Sequence, residues 1–233
     1  MIELLAWDSQ MLGVKVGKLV GEMEGADFDD YDLIVARKLQ QERVSIVKLE
    51  QQGFRYVGLD VALLRSGLVP PPVFVPTAPG LQIKQCRRSL PEFSIAGFRI
   101  DDSRFMLDER CRQRLSADFW DHVISDHCQE FADVVVCATD ERQRLGAFIS
   151  CLHKQQSLDM FLVATHPDCQ NRGLGTRLVY EVVSLAEQLR LPVTTSVMAS
   201  NVRAFNFYLQ HQFTVASAEV ILHRWCAGTN YEQ

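Results

Sequence analysis

The sequence predicts an α/β protein in two parts. A larger C-terminal unit holds an antiparallel meander that runs on into strand–helix–strand–helix–strand, and a smaller α/β layer precedes it. Three observations carry this expectation. Apolar runs follow one another from Asp133 to Ala164 with short polar breaks, and two amphipathic helical stretches alternate with strand-like runs after them. Five of the eight prolines fall between Pro70 and Pro79, where each fixes its own φ and turns its predecessor away from helix, so the chain there is an extended linker. The boundaries follow: a small α/β domain over residues 1–68, a linker over 69–80 and the larger domain over 81–228.

In the N-terminal unit Leu33 to Ala36 is apolar, Arg43 to Gln52 is a charged helical stretch, and Gly53-Phe54 turns into an alternating strand from Tyr56 to Leu64. Leu49 to Arg65 can be laid on Tyr208 to Arg224, with Phe54 on Phe213 and Asp60 on Glu219. The match has two readings: a degenerate copy of half of the larger domain, or the resemblance any two helix–turn–strand hairpins share. In the larger unit a strand over Leu81 to Lys84 is followed by a helical region from Leu90 and a second helix from about Leu107 to His127. Strands cover Asp133 to Thr139, Leu145 to His153 and Leu158 to Ala164. Asp140 to Arg144 makes a polar turn between the first two. Leu174, Leu178, Val182, Leu185 and Leu189 keep the 3.6-residue period of a helix that ends before Pro192. Val193 to Met198 alternates as a strand, Asn201 to His211 is a second amphipathic helix, and Phe213 to Trp225 completes the chain as a strand or a pair of strands.

Composition narrows the function. With 24 Lys and Arg against 29 Asp and Glu the net charge is −5, and no basic run supplies a footprint for nucleic acid or an anionic membrane. No apolar stretch is long enough to span a bilayer, and Met1 to Asp8 lacks the marks of a secretory leader, so a cytoplasmic location is expected. The seven cysteines form no Cys-x-x-Cys pair and read as reduced, buried side chains. His122 and His127, five apart, read as surface or core residues and not as metal ligands. No metal is expected.

Chemistry concentrates in Phe161 to Leu178. Gln170-Asn171-Arg172-Gly173-Leu174-Gly175 follows a strand and opens a helix, so main-chain N–H groups and the helix dipole converge where a pyrophosphate could sit. The spacing fits neither a Walker loop nor the dinucleotide fingerprint, which needs Gly where Gln170 stands. Gln-x-x-Gly-x-Gly after Val-x-x-x-Pro resembles motif A of the GNAT superfamily of acetyl-CoA-dependent N-acyltransferases. Asn201, Ala204, Tyr208 and Phe213 resemble its second mark. The resemblance implies the GNAT fold, a mixed and mostly antiparallel central sheet flanked by helices. It also implies acetyl-CoA as cosubstrate.

The resemblance further implies a strand that splays from its neighbour, with main-chain groups around Leu162 and Val163 holding the pantetheine arm. Gln170, Asn171, Arg172, Gly173, Leu174, Gly175 and Thr176 would then take the pyrophosphate, with Asn201 at the second motif. Transfer needs an uncharged amine, an N–H near Val163 for the oxyanion, and a proton for the departing thiolate. Tyr208 is the candidate acid, since a phenol with ordinary pKa near 10 is protonated at neutral pH. Asp159 stands where the histone-modifying branch carries its base, and is otherwise a turn or edge residue. His153, His166 and a water chain are the alternatives.

Beyond the superfamily, Leu5-Ala-Trp-Asp-Ser-Gln-Met-Leu-Gly13, Ser103-Arg-Phe-Met-Leu-Asp108 and Phe119-Trp-Asp-His-Val123 resemble the TDP-fucosamine acetyltransferase branch. Those enzymes acetylate a TDP-linked 4-amino sugar for cell-surface polysaccharide. The branch has Tyr at the position of Phe119 and an Asp-Pro pair at Asp108-Glu109. By this resemblance Arg104 would grip a sugar diphosphate and Phe105 would stack on a base or sugar face; the alternative is a local ion pair and a core aromatic. A homodimer is implied by resemblance alone. Two other readings stay open: an enzyme for a polyamine, antibiotic or protein amine, and a CoA-binding protein without turnover.

Overall fold

The computed structural model describes residues 1–22, 27–66, 80–86 and 97–226. The linker assigned at 69–80 lies outside these up to residue 79, as does the start of the helical region expected from Leu90. The elements are β1 (Ile2–Leu4), α1 (Ala6–Leu12), β2 (Val16–Leu19), β3 (Leu33–Leu39), α2 (Arg43–Gln51), β4 (Arg55–Arg65) and β5 (Leu81–Cys86). After these come α3 (Arg104–Leu107), α4 (Glu109–Arg112), α5 (Phe119–Asp126), β6 (Val134–Asp140), β7 (Leu145–Lys154) and β8 (Ser157–Thr165). The chain continues as α6 (Leu174–Leu189), β9 (Val193–Met198), α7 (Val202–Gln210) and β10 (Thr214–Trp225).

All ten strands join one sheet in the order β1-β2-β3-β10-β4-β9-β8-β7-β6-β5. Pairings β2–β3 and β8–β9 are parallel and the others antiparallel, the mixed and mostly antiparallel sheet expected. The two units share this sheet, because β10 lies between β3 and β4. Alternation along each strand sends one set of side chains against α2, α6 and α7 and the other against α1 and α3 to α5. On β10, Leu222 packs in the cluster with Leu49 and Phe54, while Ile221 packs with Leu12, Phe105 and Phe119.

A single offset without gaps carries Arg43 onto Val202, Gln51 onto Gln210, Gly53 onto Gln212 and Arg55 onto Thr214, so α2 and β4 overlay α7 and the start of β10. Gly53 and Gln212 both have positive φ, 86° and 66°. Asp60 and Glu219, equivalent under the offset, are directly opposite in the β4–β10 register. Asp60 also pairs with Met198 while Glu219 pairs with Leu39, again equivalent positions. A pseudo-two-fold axis therefore passes between β4 and β10, and each half places its last strand inside the other half. The N-terminal half is shorter at one point. Strand β2 stops at Leu19, level with Met160 of β8 in the parallel pairings, whereas β8 continues into the phosphate loop and α6.

The expected helix from about Leu107 to His127 is broken into α4 and α5, and a separate turn of helix, α3, precedes it. Asp108 has extended φ/ψ, and its carboxylate accepts from the Arg110 and Cys111 N–H groups to cap α4; a side chain that satisfies the orphan donors of a new helix ends the old one. Its other oxygen accepts from His223 Nδ1 at 2.7 Å and Trp225 Nε1 at 3.0 Å, tying this segment to β10. Burial pushes the Asp108 carboxyl up, but these donors, His223 first, outweigh it and hold the carboxyl at about 2. A folded pKa below the unfolded value of 3.8 gives stability present above about pH 4 and lost as pH falls to about 2. We expect the unfolding free energy of Asp108→Asn from urea titration to lie roughly 2 kcal/mol below wild type at pH 7, and to converge with wild type by about pH 2. A difference independent of pH would contradict this. All seven cysteines are free, and burial pushes the Cys111, Cys128 and Cys137 thiols up to about 12.

Candidate active site

The site begins where β8 leaves β9. The two pair only over Leu158–Met160 and Val193–Thr195, after which β8 keeps β7 as its partner while the gap toward β9 opens. At the parting a β-bulge shifts the β7–β8 register: Cys151 faces Met160 and Ser150 faces Leu162, so Phe161 is left over. Leu162 N–H donates to Ser150 Oγ at 3.1 Å and His166 N–H to Gly146 O at 2.8 Å, both on β7. Since main-chain groups alternate along a strand, those of Val163 and Thr165 face the gap. Of the two residues expected to hold a pantetheine arm, Val163 thus offers its main chain, and the Leu162 N–H is already bound.

Below the gap lies a cavity of about 510 Å³ lined by Val163, Thr165, Gln170, Asn171, Gly173, Leu174, Gly175 and Thr176 together with Asn201, Arg203 and Tyr208. Asn171 and Gly173 have φ of 59° and 74°, which turns the loop sharply into α6. A Cβ on Gly175 would stand 3.4 Å from the Phe207 ring, so the residue lets α6 approach α7. Arg203, which the sequence reading passed over, donates to Gln170 Oε1 at 3.1 Å and Asn171 Oδ1 at 2.9 Å and pins the loop from α7. Thr176 Oγ1 lies 3.1 Å from His211 Nε2. Asn201 Oδ1 accepts from Ala204 N–H at 2.9 Å and caps α7. Arg172 is exposed and stands outside the cavity lining.

A second cavity of about 750 Å³ lies against the other face of the sheet, and both contain Val163, Asn201, Ala204 and Tyr208. It is bounded by α1, the segment from α3 to α5, and the sheet. Tyr208 is 5% exposed, and burial pushes its phenol up to about 12 against a hydrogen bond with Thr195, so it is fully protonated at neutral pH. The two sequence words that resemble one branch meet in this wall. Asp8 pairs with Arg104, Trp7 packs edge-on against Phe105 with centroids 6.1 Å apart, and the Arg104 guanidinium lies 4.1 Å from the Phe105 ring centre. Phe105 is a core residue as well as a wall residue. Arg104 Nη1 is buried with no hydrogen-bond partner. Arg37 bridges Asp60 at 2.8 Å and Glu219 at 3.3 Å across the pseudo-axis.

Asp159 is a correction. It lines neither cavity, its Oδ1 accepts from Thr194 Oγ1 at 2.7 Å, and its Oδ2 is paired with Lys154 Nζ at 2.8 Å. It ties the β8 start to its neighbours. His166 stacks edge-on against Phe98 and accepts from Asp168 N–H, and His153 stands at the exposed end of β7. His127, set aside as a surface or core residue, lines the second cavity and stacks on Phe161 with centroids 4.2 Å apart. No local motif marks it; it becomes visible only when α5 is placed over the β8 bulge.

A strand pair that splays at a bulge, a positive-φ loop opening a helix, and a buried tyrosine between two cavities are the features that the GNAT resemblance leads one to expect. The family model of the acetyltransferase (GNAT) family matches residues 99–213, and the fold is the GNAT fold. Among solved structures the chain is similar to a GCN5-related N-acetyltransferase from Sphaerobacter thermophilus, with TM-score 0.56 and 14% identity over 82% of this chain and 59% of that one. It is also similar to a tandem GNAT protein from the clavulanic acid biosynthesis pathway, without AcCoA (TM-score 0.57, 11% identity, 86% and 66% covered). A functionally unknown conserved protein from Staphylococcus epidermidis gives TM-score 0.52 at 10% identity, over 91% and 84%. At these identities the likeness is one of fold, and the chain spans 59% and 66% of the lengths of the first two. No curated protein matches the chain. Among the described residues no helix is long and apolar enough to cross a membrane.

Proposed function

We propose that the chain is an acetyl-CoA-dependent N-acetyltransferase whose acceptor is a nucleotide-linked amino sugar. The observation that carries this is the junction of the two cavities at Val163 and Tyr208, with a phosphate-shaped loop on one side and a large, aromatic-walled space on the other. The lower cavity takes the cosubstrate: Gly173, Leu174, Gly175 and Thr176 offer N–H groups at the helix start to the pyrophosphate, and Arg203 holds the loop in shape. Val163 offers its main chain to the pantetheine arm and the thioester oxygen. Attack by the amine forms the C–N bond and breaks C–S, and Tyr208 donates its hydroxyl proton to the leaving sulfur.

The upper cavity suits a sugar nucleotide because Trp7, Phe105 and Trp120 offer flat faces, while Arg104 keeps an unpartnered buried N–H. Asp102 and Asp126 in the same wall bond neutral donors, the Ser200 hydroxyl and the Trp7 indole, which favours a cationic acceptor such as a polyamine as the second reading. Calorimetry separates them. On the first reading dTDP binds without displacing acetyl-CoA, and Arg104→Lys, which keeps the charge but loses the fork, weakens dTDP at least tenfold. Competition with acetyl-CoA, or binding of spermidine alone, would overturn it.

The N-terminal unit is, on this proposal, a degenerate copy of half of the larger domain that has lost its own cosubstrate site. Among the described residues it lacks the strand extension, the loop and α6, and Leu49 and Glu42 occupy the positions equivalent to Tyr208 and Asn201. Its remaining role is to wall the acceptor cavity with Trp7, Asp8, Val35 and Arg37. Calorimetric titration is expected to give one acetyl-CoA per chain; two would contradict the assignment.

A further inference from the structure

We propose that His127 takes the proton from the acceptor nitrogen and that Asp126 positions that amine. The inference rests on the reading of the upper cavity as the acceptor site. His127 opens a π-turn, His127–Phe131, in which both end residues line the cavity; such turns recur at functional sites because they re-aim side chains. The imidazole lies flat on Phe161, the bulge residue, at 4.2 Å and 17°, which sets it beside the point where β8 parts from β9.

The Ser150 hydroxyl is the polar neighbour of His127 Nδ1. This buried hydroxyl accepts from Leu162 N–H at 3.1 Å and has one proton to give, with Leu162 O and His127 Nδ1 each at 3.5 Å. On the proposal, that proton goes to Leu162 O, so His127 Nδ1 donates to Ser150 Oγ at 3.5 Å and Nε2 keeps a free lone pair on a ring that lines the cavity. Burial pushes His127 down to about 4 against the nearby Asp126, so the ring is neutral at pH 7. A weak base suffices at this step. As the C–N bond forms, the nitrogen becomes cationic and its N–H strongly acidic; Nε2 takes that proton, the C–S pair leaves on sulfur, and Tyr208 protonates the thiolate. His127 and Tyr208 then reset by exchange with water.

Asp126 supplies the ground-state partner. Its Oδ2 accepts from Trp7 Nε1 at 3.0 Å, no cation among the described residues pairs with it, and it lines the same cavity, so it can hold an ammonium until a proton is lost. Trp7 belongs to the N-terminal unit, which thereby helps place the amine.

The test combines kinetics with a measurement that needs no acceptor. Initial rates of thiol release from acetyl-CoA are taken with whichever amine the wild type acetylates, among amino-sugar nucleotides, polyamines and peptides. His127→Gln is expected to lower kcat about 100-fold while calorimetric acetyl-CoA affinity stays within about twofold, and imidazole partly restores His127→Gly. Asp126→Asn raises the acceptor KM at least tenfold with kcat less affected. Nitrogen-15 NMR of wild type at pH 7 shows a neutral His127 protonated on Nδ1, and Ser150→Ala shifts that balance toward Nε2. Turnover by His127→Gln within threefold of wild type, or a ring protonated on Nε2 in wild type, overturns the proposal. If the wild type acetylates a polyamine and no amino-sugar nucleotide, the acceptor reading fails, while the His127 comparison is still made on the polyamine.

Discussion

Replacing Tyr208 by Phe lowers kcat for amine acetylation by about 10²–10⁴-fold, the range contributed by a positioned acid, and leaves acetyl-CoA affinity within about twofold. The substitution removes one oxygen. Ring packing against Phe207 and Phe213, with centroids 5.4 Å away in each case, is kept, so the fold is not at risk. Because burial already pushes the phenol to about 12, no part of the neutral pH range deprotonates it, and the loss is expected to be uniform from pH 6 to 9. Single-turnover and steady-state rates together check this. Wild-type kcat in Tyr208→Phe would remove Tyr208 from the mechanism and leave the thiolate to be protonated by water.

Replacing Gly173 by Val raises the acetyl-CoA dissociation constant by about 100-fold. Gly173 holds φ at 74° as the residue before α6, and a β-branched side chain is strained there by roughly 1–3 kcal/mol. Relieving that strain rotates the following N–H groups away from their common focus, and each charge-assisted bond to phosphate is worth about 1.5–3 kcal/mol. Gly173 is exposed, so thermal stability should fall by only a few degrees. Calorimetry resolves the two effects. An unchanged dissociation constant would mean that the pyrophosphate does not sit on this loop.

The parts of the site that could be read from sequence are those whose physics is local. A helix opening needs its N–H donors, a positive φ favours Gly or Asn, and a cap needs Asn201 three residues before the N–H it accepts from, so loop and cap appear as spacing. Tyr208 was legible because it shares a helix face with the residues that pack it. What was hidden depends on contacts between distant segments. Arg203 holds the loop across some thirty residues, Asp8 meets Arg104 from the other unit, and His127 matters only because a π-turn and a bulge bring it over Phe161. Asp108 was read at the start of one long helix, whereas its capping bonds open a short one that ends at Arg112. Asp159 fitted a motif position, but its partners Thr194 and Lys154 were not visible from that position. The repeat was legible as a match of a few residues; its pairing across β4 and β10 required the register.

The most direct measurement is initial-rate thiol release from acetyl-CoA by purified protein across a panel of TDP-amino sugars, polyamines, aminoglycosides and peptides, with the products identified by mass. The account predicts turnover with an amino-sugar nucleotide and acetyl on its amine. Saturable acetyl-CoA binding with no thiol release above the rate without acceptor, for every amine in the panel, would contradict it.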